Sequence, residues 1–139
     1  MSFRPVYLDS SALLKLVLPE RETVALREAL AAWPDWVSSW LSAIECRRAV
    51  RRARGNTSER ARMDHVLASC TLLRVEEPAL RLAETIGPTE LRSLDAIHLA
   101  CAMSLGDFPE ALVTYDARLA SAAREIGLHV LSPGVQNKR

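Results

Sequence analysis

Short apolar runs alternate with longer stretches of helical period along this chain, and that alternation constrains the fold more than any other feature. "PVYLD", "DWVSS", "LLRV", "ALVTY" and "HVLS" read as buried strands. The helical patterns are "SSALLKLVL", "ERETVALREALAAW", "SAIECRRAVRRAR", "SERARMDHVLASC", "PALRLAETIG", the run from Leu94 to Met103, and "ARLASAAREIG". Glu20 and Glu22 are expected in the first turn of the second helix, where the helix dipole favours acids. Gly55 is expected to stop the third as its C-cap. Strands alternating with helices make an α/β fold, a mainly parallel sheet of about four to five strands with helices on both faces. The 139 residues contain no internal repeat and no low-complexity linker, so a single domain over residues 1–139 with its own core is expected.

A hydrophobic content of 49% and a charged content of 25% are those of an ordinary soluble protein. The net charge of +1 does not by itself announce a polyanionic partner. The charge is unevenly spread, however. Arginine outnumbers lysine sixteen to two, and seven arginines lie between Arg47 and Arg62. Cys46, Cys70 and Cys101 are odd in number and form no CxxC pair, which argues against a disulfide framework or a zinc site. They read as small buried hydrophobes in a reducing compartment. "MSFRPVYLDSS" has no long apolar stretch, and no run approaches the roughly 20 apolar residues needed to span a bilayer. The expected location is the cytoplasm.

The acids carry the chemistry. In an open α/β sheet the ligand crevice lies outside the carboxyl ends of the strands. Asp9 ends the first strand, and Asp116 follows "ALVTY". Glu45 lies in the opening turns of the helix after "DWVSS", and Asp95 in the first turn of its own helix. All four are therefore expected at one edge of the sheet. Each has a structural alternative. Asp9 and Asp116 suit helix N-caps, and "SAIE" matches a capping box between Ser42 and Glu45. Asp95 fits such a role less well, because its helix is apolar almost all round. Together, four converging carboxylates repel one another unless cations hold them. Mg²⁺ is the natural hard cation, taking oxygen ligands and keeping several waters. A metal so held activates water and stabilises charge on a phosphodiester.

"YLDSSALLKL", "SAIE", "LRSLDAIHLA" and "LVTYDARLA" resemble the four acidic motifs of the PIN domain, and more narrowly those of the VapC toxins of bacterial toxin–antitoxin pairs. The resemblance covers essentially the whole chain, in order. It implies a three-layer α/β/α fold and a Mg²⁺-dependent endoribonuclease, with Mn²⁺ as a substitute, cutting transfer or ribosomal RNA. It also implies a homodimer silenced by a small VapB-like antitoxin. It assigns catalytic and metal-binding roles to Asp9, Glu45, Asp95 and Asp116. Asp9, Asp95 and Asp116 would hold the ion directly or through water, and Glu45 would complete the cluster and orient or deprotonate the attacking water. Ser11 and Thr114 stand where the family places a supporting hydroxyl.

The remaining residues are read more plainly. His98, one turn after Asp95, is expected to hydrogen-bond a neighbour rather than bind metal. Ser10 and Ser11 have no identifiable general base. Arg48 and Arg52 share the helical face of Glu45, with Arg47 and Arg51 beside them. Three readings stay open for this stripe: a solvated face, a surface that tracks RNA phosphates, or a receiver for acidic antitoxin residues. An Arg48–Glu45 ion pair also fits the spacing. Trp33, Trp36 and Trp40 are expected in the core or an interface rather than stacked on bases, with Trp33 exposed near a turn. Other functions remain to be weighed. "DSS" lacks the second aspartate of a haloacid-dehalogenase-type phosphatase, and a receiver domain's acidic pair and late lysine are not evident. A DNA nuclease of the same fold and a catalytically silent binding module remain open alternatives.

Overall fold

The computed structural model describes residues 5–105 and 109–135; residues 1–4, 106–108 and 136–139 of the expected domain lie outside them. In chain order the elements are β1 (Val6–Leu8), α1 (Ser10–Lys15), α2 (Thr23–Leu30), β2 (Trp36–Ser39), α3 (Trp40–Arg52), α4 (Thr57–Ala68) and β3 (Cys70–Leu73). There follow α5 (Glu77–Ala83), α6 (Ser93–Met103), β4 (Ala111–Val113), α7 (Ala117–Glu125) and β5 (Val130–Leu131). All strand pairings are parallel, in the order β3-β2-β1-β4-β5.

Successive strand side chains point to opposite faces, and this sorts the core into two layers. Val6, Leu8, Ala111 and Val113 join α1 to α4 on one face. Tyr7 and Leu112 join Leu99, Cys101 and Ala102 of α6 and Leu119, Ala122 and Ala123 of α7 on the other. Alternate residues of a three-residue strand thus serve two cores, which is why β1 is buried throughout. The result is the three-layer α/β/α architecture. No helix among the described residues is long and apolar enough to cross a membrane.

Four local expectations are corrected. Glu20 and Glu22 are not in a first helical turn: α2 begins at Thr23, and the two acids instead flank Lys15 Nζ at 3.2 and 3.0 Å. The expected strand "LLRV" is shifted to Cys70–Leu73, because α4 ends at Ala68. α3 begins at Trp40 with Ser39 as its N-cap, so Ser42 is inside the helix and no Ser42–Glu45 capping box forms. Its C-terminus closes with Arg54 N–H donating to Arg51 O and Gly55 N–H to Val50 O, at 3.0 and 2.9 Å. That is the Schellman pattern, with Arg54 rather than glycine in the left-handed conformation (φ 56°). Gly55 is one residue further on and is needed for space: a Cβ there would lie 2.5 Å from Val50 Cγ1.

Candidate active site

The chain steps outward from β1 to β2 to β3, and then α5 and α6 carry it back to lay β4 on the other side of β1. The strand order therefore reverses between β1 and β4, and the ligand crevice of such a sheet opens at the carboxyl ends of those two strands. Asp9 immediately follows β1, and Thr114 to Asp116 follow β4.

Asp9 is 3% exposed. Its Oδ1 accepts from Ser11 Oγ at 2.7 Å and from the Ala12 N–H at 3.0 Å, and its Oδ2 accepts from Thr114 Oγ1 at 2.5 Å. Thr114 Oγ1 in turn accepts from the Asp116 N–H at 3.0 Å, and Ser11 Oγ from the Tyr115 N–H at 2.8 Å. Two hydroxyls thus stitch the β1–α1 turn to the β4–α7 turn around one carboxylate. Burial pushes the Asp9 pKa up, and the bonds from Thr114, Ser11 and Ala12 only partly offset this. Asp116 caps α7 through Oδ1, which accepts from the Arg118 and Leu119 N–H groups. Both aspartates therefore do cap helices. For Asp116 the cap uses one oxygen, and Oδ2 has no hydrogen-bond partner among the described residues.

Asp95 is half-buried in the first turn of α6. Its pKa is raised, first by burial and next by the charge of Asp116; His98 and Arg92 act in the opposite sense. Glu45 Oε1 is 2.5 Å from His98 Nε2. His98 is 3% exposed, and its Nδ1 lies 3.4 Å from Tyr7 Oη and 3.5 Å from Ser42 Oγ. Burial alone would lower the His98 pKa, but the bond to Glu45 and the charges of Glu45, Asp9 and Asp95 raise it overall. His98 is the neighbour-bonded histidine expected, and the neighbour is the acid cluster itself. Glu45 makes no ion pair with Arg48.

All four acids offer oxygen, the donor that best suits a hard cation such as Mg²⁺ or Mn²⁺. Among the described residues no three His, Cys, Asp or Glu side chains stand close enough to hold an ion unaided. An ion here would be held by one or two carboxylates and its own waters, the usual habit of Mg²⁺. The burial and the Asp116 charge that together raise the Asp95 pKa, only partly offset by His98 and Arg92, are what a nearby cation would counter.

Half of the arginine stripe lines a different cleft. Arg47 and Arg51 line a cleft of about 660 Å³ between α3 and α4, with Arg54 and Arg60, and Arg47 pairs with Asp64 at 3.3 Å. Arg48 and Arg52 are exposed on α3. The tryptophans separate: Trp33, expected exposed, is half-buried with Trp36 at the margin of the first core, whereas Trp40 is 49% exposed. Cys46 and Cys101 are buried and Cys70 half-buried, and burial lifts their thiols to about 12, about 11 and about 11. Sequence reading missed Tyr7, under His98, and Arg92 and Arg118, which border a cavity with Asp95. Their signal was adjacency: Arg92 is three residues before Asp95, and Arg118 two after Asp116.

The PIN domain family model matches residues 6–125. Ribonuclease VapC47 of Mycobacterium tuberculosis is 46% identical over 133 residues, spanning 93% of this chain and 97% of the relative. Ribonuclease VapC46 of the same organism is 44% identical over 128 residues, spanning 92% and 97%. Among solved structures, Mycobacterium tuberculosis VapC20, a sarcin–ricin loop cleaving toxin, superposes with a TM-score of 0.69 at 16% identity, covering 92% of this chain and 99% of that one. A toxin–antitoxin complex from Klebsiella pneumoniae superposes with 0.67 at 21% identity, covering 92% and 97%. The solved structures show a shared fold. The family model and the two ribonucleases, each spanning most of the chain, go further: this protein belongs to the PIN-domain family and, within it, to the VapC toxins.

Proposed function

We propose that the protein is the toxin of a type II toxin–antitoxin pair and a metal-dependent endoribonuclease that cuts transfer or ribosomal RNA. The observation that carries this reading is the meeting of Asp9 and Asp116 across Thr114 at the β1–β4 reversal, with Asp95 in the field of Asp116. Asp9, Asp95 and Asp116 hold Mg²⁺ or Mn²⁺, directly or through water. The ion supplies an activated water and charge stabilisation at the phosphodiester. Asp9 is oriented by Ser11 and Thr114, whose hydrogen bonds partly offset the burial that raises its pKa, so both hydroxyls act on the site through it. Glu45, with Oε1 held by His98, presents Oε2 to orient the attacking water or take its proton. Membership of the family and the toxin–antitoxin complex among its structural neighbours support a VapB-like antitoxin as partner, and the homodimer is proposed with it. Arg47, Arg48, Arg51 and Arg52 supply positive surface for RNA phosphates or for acidic antitoxin residues.

The test is cleavage of total RNA by the wild type and by Asp95→Asn, each with Mg²⁺, Mn²⁺ or EDTA, with the new 5′ ends mapped. Discrete metal-dependent cuts that disappear in Asp95→Asn are expected. Cutting that is equal in the two proteins, or absent from both, breaks the link between these carboxylates and catalysis.

A further inference from the structure

A second cavity, of about 620 Å³, opens beside Asp95 between α6 and α7. Its volume lies within the range of small-ligand clefts. Leu91, Pro88 and Ala122 give it an apolar wall, and Arg92 and Arg118 give it two cations. Neither guanidinium makes a hydrogen bond or ion pair among the described residues, although Asp95 and Glu90 line the same cavity. The α3–α4 cleft differs in its place. Arg47 pairs there with Asp64 and Arg60 donates to Gly55 O and Thr57 Oγ1, and although Arg51 and Arg54 line it without such partners among the described residues, none of the four acids does, whereas Asp95 lines the α6–α7 cavity. Both Arg92 and Arg118 also lie at the starts of helices, whose amide dipoles add to the same positive field.

We propose that the α6–α7 cavity is a nucleotide subsite, in which Arg92 and Arg118 clamp an RNA phosphate next to the cleaved bond and the Leu91–Pro88–Ala122 wall receives the adjoining base. The inference rests on the nuclease reading. A polyanion drawn across a cluster of carboxylates needs cations close to the reacting bond, and free guanidinium groups bind phosphate bidentately. The apolar wall gives a base a surface to pack on without reading its sequence. Glu90, at the rim, keeps the phosphate on the arginine side. The cavity shares Asp95 with the acids, so a strand bound here is continuous with one lying over Asp116.

The experiment uses the full chain and a short RNA centred on a mapped cut, with kcat and KM measured across a range of salt for wild type, Arg92→Ala, Arg118→Ala and a charge-matched control, Arg81→Ala. Arg81 pairs with Glu77 on α5, away from the cavity. Each cavity variant should raise KM about ten-fold or more while kcat changes little. Each should also flatten the dependence of log KM on log salt by about 0.7, the single-strand contribution of one phosphate contact. Arg81→Ala should do neither, and Arg→Lys at either cavity position should recover part of the loss. Shortening the RNA from one end, and not the other, should remove the difference between wild type and variant. Wild-type KM and salt slope in both variants, with cleavage intact, overturn the subsite and leave the nuclease standing. So does an unchanged KM with weakened binding of an inhibitory protein partner. Loss of cleavage in the wild type itself overturns both.

Discussion

Asp9 is the residue on which the site turns, because a carboxylate so buried persists only with donors around it. Thr114→Val removes the donor to Oδ2 and the acceptor of the Asp116 N–H together. Cleavage should fall by about 10- to 100-fold, and stability by about 1–3 kcal/mol, read from kcat/KM and a urea titration. Wild-type activity in Thr114→Val would remove Thr114 from any positioning role. Asp95→Asn should lower kcat by about 100-fold or more yet not weaken the metal-free fold. The sign follows from the direction of the shift. A carboxylic acid with a raised folded-state pKa holds its proton longer folded than unfolded, so stability falls as pH rises from about 4 through the folded value. Asp9 and Asp95 both act in this sense. In EDTA, the wild-type urea midpoint should therefore drop more between pH 4.5 and pH 7 than that of Asp95→Asn. Parallel declines would mean that the Asp95 pKa is not raised in solution by burial and the Asp116 charge.

Elements were the most legible level, and their ends the least. The apolar runs mark all five strands, yet β3 starts at Cys70 because α4 stops early, and no residue near Ser69 announces that stop in sequence. The end of α3 is the clearest instance. Gly55 reads as a stop, and the helix does stop there, but the left-handed position falls on Arg54. Glycine in sequence does not distinguish a conformational need from a steric one. The two needs separate on mutation. Arg54→Gly should stabilise the protein by about 1 kcal/mol, by removing a left-handed side chain. Gly55→Ala should destabilise it by about 1–3 kcal/mol, because the Val50 side chain and carbonyl must both give way. Paired denaturation curves settle the assignment; effects of the same sign would contradict it.

At the scale of the whole molecule, alternation alone implies a parallel sheet, but not which strand lies against β1. The pairing of β4 with β1 brings Asp9 to Thr114 and Asp116, and Tyr7 under His98, across separations of about a hundred residues. The Glu45–His98 contact likewise joins α3 to α6, which share no sequence neighbourhood. The motifs therefore name the acids, while the topology decides their partners. This has a thermodynamic consequence for the fold. An ion bound only by the assembled edge stabilises the native state by mass action, about 2.7 kcal/mol at a hundred times its dissociation constant. For a chain of this size that is roughly an 8–10 °C rise in Tm. Titrating Mg²⁺ into metal-free protein should raise Tm progressively, and Asp95→Asn should blunt the rise, since it removes one carboxylate and with it the repulsion the ion relieves. An equal rise in both proteins would place the ion away from Asp95. No rise in either would mean that this edge binds no ion without RNA, and the same titration in the presence of an uncleavable RNA would then separate a substrate-assembled metal site from none.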